Sequence, residues 1–152
     1  MKTLIVYDSM YGNTEKIAKI IGDAIAGEIR VLHVGDVDPS ELLKLNLLIV
    51  GSPTQGGRPT RTIQDFLNSV SGSVIKGVNI AAFDTRLSSR WVRIFGYAAG
   101  RIARSLEKLD GIPVVPPEGF FVEGTRGPLK EGEPERADSW AKGIVESSKT
   151  IS

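Results

Sequence analysis

Short apolar runs alternate along this chain with apolar residues at helical spacing, and this alternation constrains the fold more than any other feature. Residues 4–6, 29–34, 45–50 and 78–83 are predominantly apolar, and continuous apolar runs are typical of strands buried on both faces of a parallel sheet. Apolar residues at helical spacing follow the first run, over residues 17–25. Strands that alternate with helices predict an α/β fold with a parallel sheet.

Prolines mark further boundaries. Asp38 followed by Pro39 predicts the cap and first turn of a short helix, and Pro134 opens the last helix. Pro116 and Pro117 interrupt a fifth strand that starts at residue 112 and resumes near residue 120. Because proline cannot donate to a strand ladder, this interruption predicts an edge strand.

The composition predicts one domain whose chemistry depends on a cofactor. With 152 residues the chain is long enough for one core, so we expect a single domain over residues 1–152. Lys and Arg number 19 against 18 Asp and Glu, which favours neither nucleic acid nor membrane as a partner. The chain has no Cys, so redox chemistry needs a bound group, and a cytoplasmic location is expected. The single histidine, His33, has no Cys or second His beside it, so we interpret it as structural and predict no metal site.

The segment YDSMYGNTEK, residues 7–16, joins the first strand to the first helix through a turn rich in hydrogen-bonding groups. Hydroxyls, one amide and a glycine at a helix N-terminus are suited to binding an anion such as phosphate. The segment lacks the GxxxxGK motif of nucleoside-triphosphate sites and the GxGxxG motif of dinucleotide sites. From the residues alone, an ordinary strand-to-helix turn capped by Ser or Asn is an equal alternative.

The motif SMYGNTE resembles the phosphate loop of flavodoxins, commonly Ser/Thr-x-Thr-Gly-x-Thr, with Tyr11 at the middle Thr. The variant is similar to the flavodoxin modules of flavodiiron proteins. The resemblance covers nearly the whole chain and implies a flavodoxin-like three-layer α/β/α sandwich, with a five-stranded parallel sheet in order 2-1-3-4-5 and FMN as the cofactor. The FMN phosphate contacts that it implies come from Ser9, Met10, Tyr11, Gly12, Asn13 and Thr14.

A second loop, GSPTQGGRPT at residues 51–60, follows the third strand. Taken alone, its composition favours a turn-rich connector. In the implied strand order the ends of strands one and three lie side by side, where ligands bind in such sheets. The resemblance therefore implies flavin-ring contacts from Pro53, Thr54, Gln55, Gly56 and Gly57. Gln55 departs from the family, since many flavodoxins have Trp at this position.

A third segment, FDTRLSSRWVRIF, starts at Phe83. The resemblance makes it the second flavin loop and implies contacts from Phe83, Asp84, Thr85 and Arg86. Trp91 is in reach to stack on the ring, although it also fits the start of a helical stripe that continues to residue 109.

Five arginines in or after the two flavin loops are predicted to surround the mouth of the pocket. They are Arg58, Arg61, Arg86, Arg90 and Arg93. Scattered solvated side chains are the alternative. One cation ~6 Å from the flavin contributes about 3 kcal/mol at an effective dielectric of ~20, so these charges would make the reduced flavin easier to form. They would also suit an acidic partner or an anionic substrate.

Three functional interpretations remain open from the sequence. The favoured one is an FMN-binding flavodoxin that carries single electrons between redox partners, as a monomer or weak dimer. No catalytic residue is assigned, because Asp84 has no His partner in sequence reach and Ser88 and Ser89 have no evident base. The alternatives are an FMN-dependent NAD(P)H oxidoreductase of the quinone or nitro-group reductase type, and a flavodoxin-like interaction protein without flavin.

Overall fold

The computed structural model of the chain describes residues 1–88 and 97–151. Within these residues six strands form one parallel sheet, in which β1 lies between β2 and β3. The strand order is β2-β1-β3-β4, with β5 and β6 both on the outer edge of β4, which confirms the predicted order 2-1-3-4-5. The strands are β1 (Lys2–Tyr7), β2 (Glu28–His33), β3 (Leu47–Pro53), β4 (Asn79–Leu87), β5 (Ile112–Pro113) and β6 (Glu118–Val122).

Five α-helices in the described residues cover both faces of the sheet, as the three-layer prediction requires. The helices are α1 (Asn13–Ala24), α2 (Arg61–Ser69), α3 (Gly72–Ile75), α4 (Ala98–Lys108) and α5 (Glu133–Ile151). Two short 3-10 helices, Val34–Asp36 and Pro39–Leu42, lie between β2 and β3. Asp38 caps the second one by accepting a hydrogen bond from Ser40 N–H at 3.0 Å, as predicted.

Each face of the sheet has its own apolar core because successive side chains of a buried strand point to opposite faces. Leu4 and Val6 of β1 belong to the core that contains α2, α3 and α4, whereas Ile5 belongs to the core under α1 and α5. These β1 side chains are at most 1% exposed. The continuous apolar pattern of the first run is therefore explained by burial on both sides.

The fourth strand is longer than the sequence predicts, and this difference affects the site. The prediction ended it at Phe83, but β4 continues to Leu87 because residues 83–87 pair in register with β6, from Phe83 opposite Glu118 to Leu87 opposite Val122. Three residues expected in a loop, Asp84, Thr85 and Arg86, are therefore fixed by a strand ladder. The predicted interruption at Pro116 and Pro117 separates β5 from β6.

Candidate cofactor-binding cleft

The loop between β1 and α1 leaves the first turn of that helix without a side-chain cap. Ser9 Oγ accepts a hydrogen bond from Gly12 N–H at 2.9 Å, so the serine hydroxyl closes the loop and does not cap α1. Gly12 precedes the helix at φ 92°, a left-handed conformation that favours glycine. Neither Ser nor Asn caps α1, so the capped-turn alternative is wrong. Uncapped N–H groups at a helix N-terminus suit an anion.

Asp8 holds three chain segments together beneath this loop, and the sequence analysis gave it no role. Its carboxylate accepts hydrogen bonds from Ser9 N–H at 2.8 Å and from Thr60 Oγ, which caps α2, at 2.6 Å. His33 Nε2 lies 3.2 Å from the same carboxylate. Since His33 Nδ1 accepts from Gly35 N–H at 2.9 Å, the ring proton belongs on Nε2 and points at Asp8. This network supports the structural interpretation of His33.

Two hydroxyl contacts fix the start of α1 against the sheet. The hydroxyl oxygens of Thr14 and Thr85 are 2.7 Å apart, and both side chains are buried. Tyr7 donates a hydrogen bond to Glu15 Oε2 at 2.7 Å. Burial, together with the nearby Glu15 carboxylate, raises the pKa of Tyr7 to about 12. The position of the loop therefore depends on β1, α1 and β4 together.

The loop after β3 is a tight turn. The N–H groups of Gln55 and Arg58 each donate to the other residue's carbonyl, at 2.8 and 3.0 Å. Gly56 and Gly57 between them have φ values of 57° and 79°, which suit glycine. Thr54 N–H donates to Thr85 O at 2.9 Å, so this turn is tied to β4.

Arg86 and Asp84 form an ion pair below the end of β4. Arg86 donates from Nε and Nη2 to the two carboxylate oxygens of Asp84, at 2.6 and 2.7 Å. Asp84 is fully buried and also accepts from Ala99 N–H at 2.9 Å. The guanidinium lies 3.3 Å from the centre of the Tyr97 ring and packs against Gly119, where a Cβ would lie 2.1 Å from Arg86 Cζ. The charge of Arg86 is thus matched by a carboxylate.

The two loops and β4 line an open cleft at the carboxyl ends of β1, β3 and β4. In parallel α/β sheets this is where ligands bind. The cleft is lined by Ser9, Met10, Tyr11, Asn13, Thr14, Pro53, Thr54, Gln55, Thr85, Arg86, Leu87, Val122 and Thr125.

Most residues that the sequence assigned to the cofactor lie together at this cleft, and a few lie elsewhere. Gly12, Gly56 and Gly57 belong to its loops but are not among the lining residues. Phe83 is fully buried in the core beside Phe120 and Trp140, so its side chain does not reach the cleft. Asp84 lies below the cleft, bound to Arg86. Trp91 falls outside the described residues.

Three lining residues were missed by the sequence analysis. Leu87 lines the cleft because β4 is longer than predicted. Val122 and Thr125 come from the end of β6 and the turn after it, far along the chain from both loops. The sequence of this segment carries no signal that it folds back to the start of α1, where Asn13 Nδ2 donates to Arg126 O.

The predicted ring of arginines around the cleft needs correction. Arg86 lines the cleft, but Arg58 lines a separate groove between α2 and α4, together with Arg101. Arg61 is paired with Asp65 at 3.0 Å and is 86% exposed. Arg90 and Arg93 lie outside the described residues.

Comparison with known proteins identifies the family. A family model described as flavodoxin matches residues 5–140. The chain belongs to the flavodoxin family. It is 27% identical over 154 aligned residues to a flavodoxin from Maridesulfovibrio salexigens, covering 95% of this chain and 97% of that one. A flavodoxin from Aquifex aeolicus is 31% identical over 77 residues, which covers 48% of this chain and 42% of that one.

Solved flavodoxin structures share the fold. A flavodoxin from the domain Archaea superposes with a TM-score of 0.83 at 23% identity, over 98% of this chain and 99% of that chain. The flavodiiron protein from Giardia intestinalis superposes with a TM-score of 0.70 at 20% identity, over 98% of this chain but 37% of that one. The resemblance to flavodoxins is thereby confirmed, and the flavodiiron protein shares the fold.

FMN is the cofactor of this flavodoxin family, and its function is electron transfer. The cleft fits such a group. It has hydrogen-bonding groups beside the uncapped start of α1, and Met10, Tyr11 and Leu87, which are 40–56% exposed, add apolar surface. A ligand with an anionic tail and a flat, largely apolar ring matches this distribution. In the described part of the flavodoxin, no helix is long and apolar enough to span a membrane.

Proposed function

We propose that this flavodoxin carries single electrons between redox proteins, with the FMN phosphate at residues 9–14 and the flavin ring between Pro53–Gly57 and the end of β4. The observation that carries the proposal is that the hydrogen-bonding residues of the β1–α1 loop, at the uncapped start of α1, line the same cleft as the exposed apolar side chain of Leu87. FMN supplies reversible one-electron and two-electron reduction when bound. The chain's part is to hold the phosphate, shield one side of the ring and leave an edge open to partners.

The residues assigned to FMN form part of this proposal. Ser9, Met10, Tyr11, Gly12, Asn13 and Thr14 contact the phosphate, and Pro53, Thr54, Gln55, Gly56 and Gly57 contact the ring. Thr85 and Arg86 lie at the base of the cleft, with Leu87, Val122 and Thr125 added from its lining. Phe83 and Asp84 act from below by packing and by pairing with Arg86. Trp91 keeps its proposed ring contact.

The test is a reductive titration of the protein loaded with FMN and freed of unbound flavin. We expect the two-banded flavin spectrum to remain with the protein, and stepwise reduction by dithionite to proceed in two separate one-electron stages. NADH and NADPH should leave the spectrum unchanged. Direct bleaching by either nucleotide would favour the oxidoreductase alternative, and a colourless protein would favour an interaction protein without flavin.

The charge beside the second loop supports an acidic redox partner. Arg58 and Arg101 line the groove between α2 and α4, and its other lining residues are Pro59, Gln64, Leu67, Asn68 and Ser105. Arg58 belongs to the turn that follows Gln55, so a partner bound in this groove would lie beside the open edge of the cleft. Opposite charge guides such encounters and sets their salt dependence.

The rate of oxidation by small charged oxidants tests this surface. Ferricyanide, an anion, should oxidise the reduced protein faster than a cationic cobalt ammine of similar driving force, and added salt should reduce the difference. Arg58→Gln should slow only the anionic oxidant, whereas the control Arg30→Gln should change neither rate because Arg30 is paired with Glu41 in another part of the sheet. Equal rates for both oxidants would contradict a positive docking surface.

The proposal also includes a single domain, a monomer or weak dimer, and a cytoplasmic location. Sedimentation at several concentrations would measure the oligomeric state, limited proteolysis the domain boundary, and cell fractionation the location.

A further inference from the structure

The segment after β6 folds back on itself as an ordered loop. Residues 123–129, which we call the 123–129 loop, are closed by an antiparallel bridge between Val122 and Leu129. Glu123 N–H donates to Pro128 O at 2.8 Å, and Gly127 N–H donates to Gly124 O at 2.9 Å. These bonds fix the conformation of the loop without help from a ligand.

The tip of this loop is attached to the first residue of α1. Asn13 Nδ2 donates to Arg126 O at 3.3 Å. Gly127 adjoins the same side chain, since a Cβ at this position would lie 2.6 Å from Asn13 Oδ1. Its φ of 98° also favours glycine. The backbone of Arg126 therefore lies at the N-terminus of α1.

The other end of Arg126 lies over the β1–α1 loop. Its guanidinium is 5.7 Å from the centre of the Tyr11 ring. Tyr11 and Asn13 flank Gly12, so Arg126 approaches residues on both sides of Gly12 in the proposed phosphate loop. Thr125, the preceding residue, lines the cleft. Within the described part of the chain no carboxylate pairs with this guanidinium, which leaves its charge uncompensated.

A phosphate monoester carries about 1.5 to 2 negative charges at pH 7. The loop itself offers this charge only neutral donors, namely hydroxyls, an amide and backbone N–H groups. A flavin without phosphate has no comparable charge and would gain nothing from a cation at this end of the cleft. The charge of Arg126 should therefore strengthen the binding of phosphorylated flavin and not that of unphosphorylated flavin.

We propose that Arg126 makes this cleft selective for phosphorylated flavin over unphosphorylated flavin, by adding a full positive charge near the phosphate end. The inference rests on the proposed placement of FMN. Because Arg126 is exposed and acts partly through water, we expect its charge to contribute about five- to tenfold to FMN affinity at low salt.

The experiment measures dissociation constants for FMN and for riboflavin with the full chain, at 20 and 200 mM salt. Arg126→Gln should weaken FMN binding about five- to tenfold at low salt and change riboflavin binding less than twofold. Its FMN affinity should also depend less on salt. Arg126→Lys should keep most of the selectivity, because it keeps the charge. The matched control Arg104→Gln removes an exposed arginine on α4, outside the cleft lining, and should leave both constants unchanged.

Each other outcome overturns the inference in a distinct way. Equal weakening of both flavins in Arg126→Gln would mean that the residue supports the loop and does not recognise phosphate. Loss of selectivity in Arg126→Lys would assign the effect to packing on Tyr11. Unchanged FMN binding in Arg126→Gln, with FMN bound by the wild type, would reject this inference alone. If the wild type binds neither flavin, the proposed function falls with it.

Discussion

Arg86 and Arg126 both lie at the cleft, but their environments are opposite. Arg86 is 13% exposed, is held by both carboxylate oxygens of Asp84 and stacks on Tyr97. Arg126 is exposed, is held through its backbone and has its guanidinium beside Tyr11. Arg86 is part of a neutral buried pair, whereas Arg126 presents its charge to solvent.

This difference shows that the number of arginines near a site does not determine the electrostatic potential there. The sequence predicted that cations near the flavin loops would favour the reduced cofactor. Asp84 offsets Arg86, which makes that pair weak as a source of net positive potential. In the proposed placement of FMN, the charge of Arg126 lies at the phosphate end, where it would influence affinity more than reduction. Added salt should therefore weaken the contribution of Arg126 to FMN affinity. It should leave the Arg86–Asp84 interaction nearly unchanged, since buried pairs are screened less.

The strongest test of this comparison replaces each arginine with methionine. Arg86→Met should lower the free energy of unfolding by about 3 kcal/mol, because the fully buried Asp84 would lose its charge partner. Arg126→Met should change it by less than about 0.5 kcal/mol, as is usual for exposed residues. Urea denaturation at pH 7 measures both values. Adding Asp84→Asn to Arg86→Met should recover part of the lost free energy of unfolding. Similar losses in Arg86→Met and Arg126→Met would contradict the difference between the two arginines.

A smaller effect is expected from crowding Arg86. Gly119→Ala would place a methyl group 2.1 Å from Arg86 Cζ, which forces the guanidinium away from Asp84 or shifts β6. We expect a loss of about 1–3 kcal/mol in the free energy of unfolding. Gly143→Ala is the matched control, since it is a helical glycine with nothing within 4 Å of the added Cβ, and it should stabilise α5 by about 0.5–1 kcal/mol. Equal effects of the two alanines would mean that Arg86 is loosely held.

The smallest effect concerns a third arginine, Arg136, which is paired but only partly buried. Its Nη1 donates to Glu118 at 2.8 Å and its Nη2 to Glu133 at 2.6 Å, while Glu133 also accepts from Phe121 N–H at 2.7 Å. Burial alone would raise the pKa of Glu133, but the hydrogen bonds from Arg136 and Phe121 outweigh it and hold this pKa below its usual range.

A lowered carboxyl pKa fixes the sign of the pH dependence. The stability from Glu133 is complete above the ordinary carboxyl range and is lost as pH falls through its lower folded-state pKa. Glu133→Gln should reduce the free energy of unfolding by about 1 kcal/mol at pH 7, and this difference should shrink on acidification below about pH 4.5. Denaturation curves from pH 3 to 7 measure it. A difference that grows toward low pH would contradict the assigned ion pair.

Much of the fold could be predicted because buried parallel strands leave a direct record in the sequence. The apolar runs at residues 4–6 and 45–50 identify β1 and β3, and Asp38 and Pro39 predict their short helix correctly. The β1–α1 loop was also recognisable, since its residues are consecutive and their types report the chemistry. Sequence patterns therefore reveal the role of a residue when that role depends on its neighbours along the chain.

Other parts of the site depended on pairings between distant segments. β4 continues past Phe83 because β6 pairs with it, and Phe83 turns to the core since side chains alternate along the extended strand. In the sequence, Asp8 is an ordinary polar residue after a strand. Its role is evident only from its contacts with Thr60 and His33, which are distant along the chain.

The sequence by itself determined the alternation of strands and helices, which follows from local periodicity, and it indicated the family through the contiguous motif of the β1–α1 loop. Only the tertiary structure decided which charges are free. Asp84 matches Arg86 from two positions away along one strand, on the same face, whereas Arg126 reaches the start of α1 from more than a hundred residues away. Charges interact through space and not along the chain, so their balance at the cleft is set by the packing of β4, β6 and the 123–129 loop.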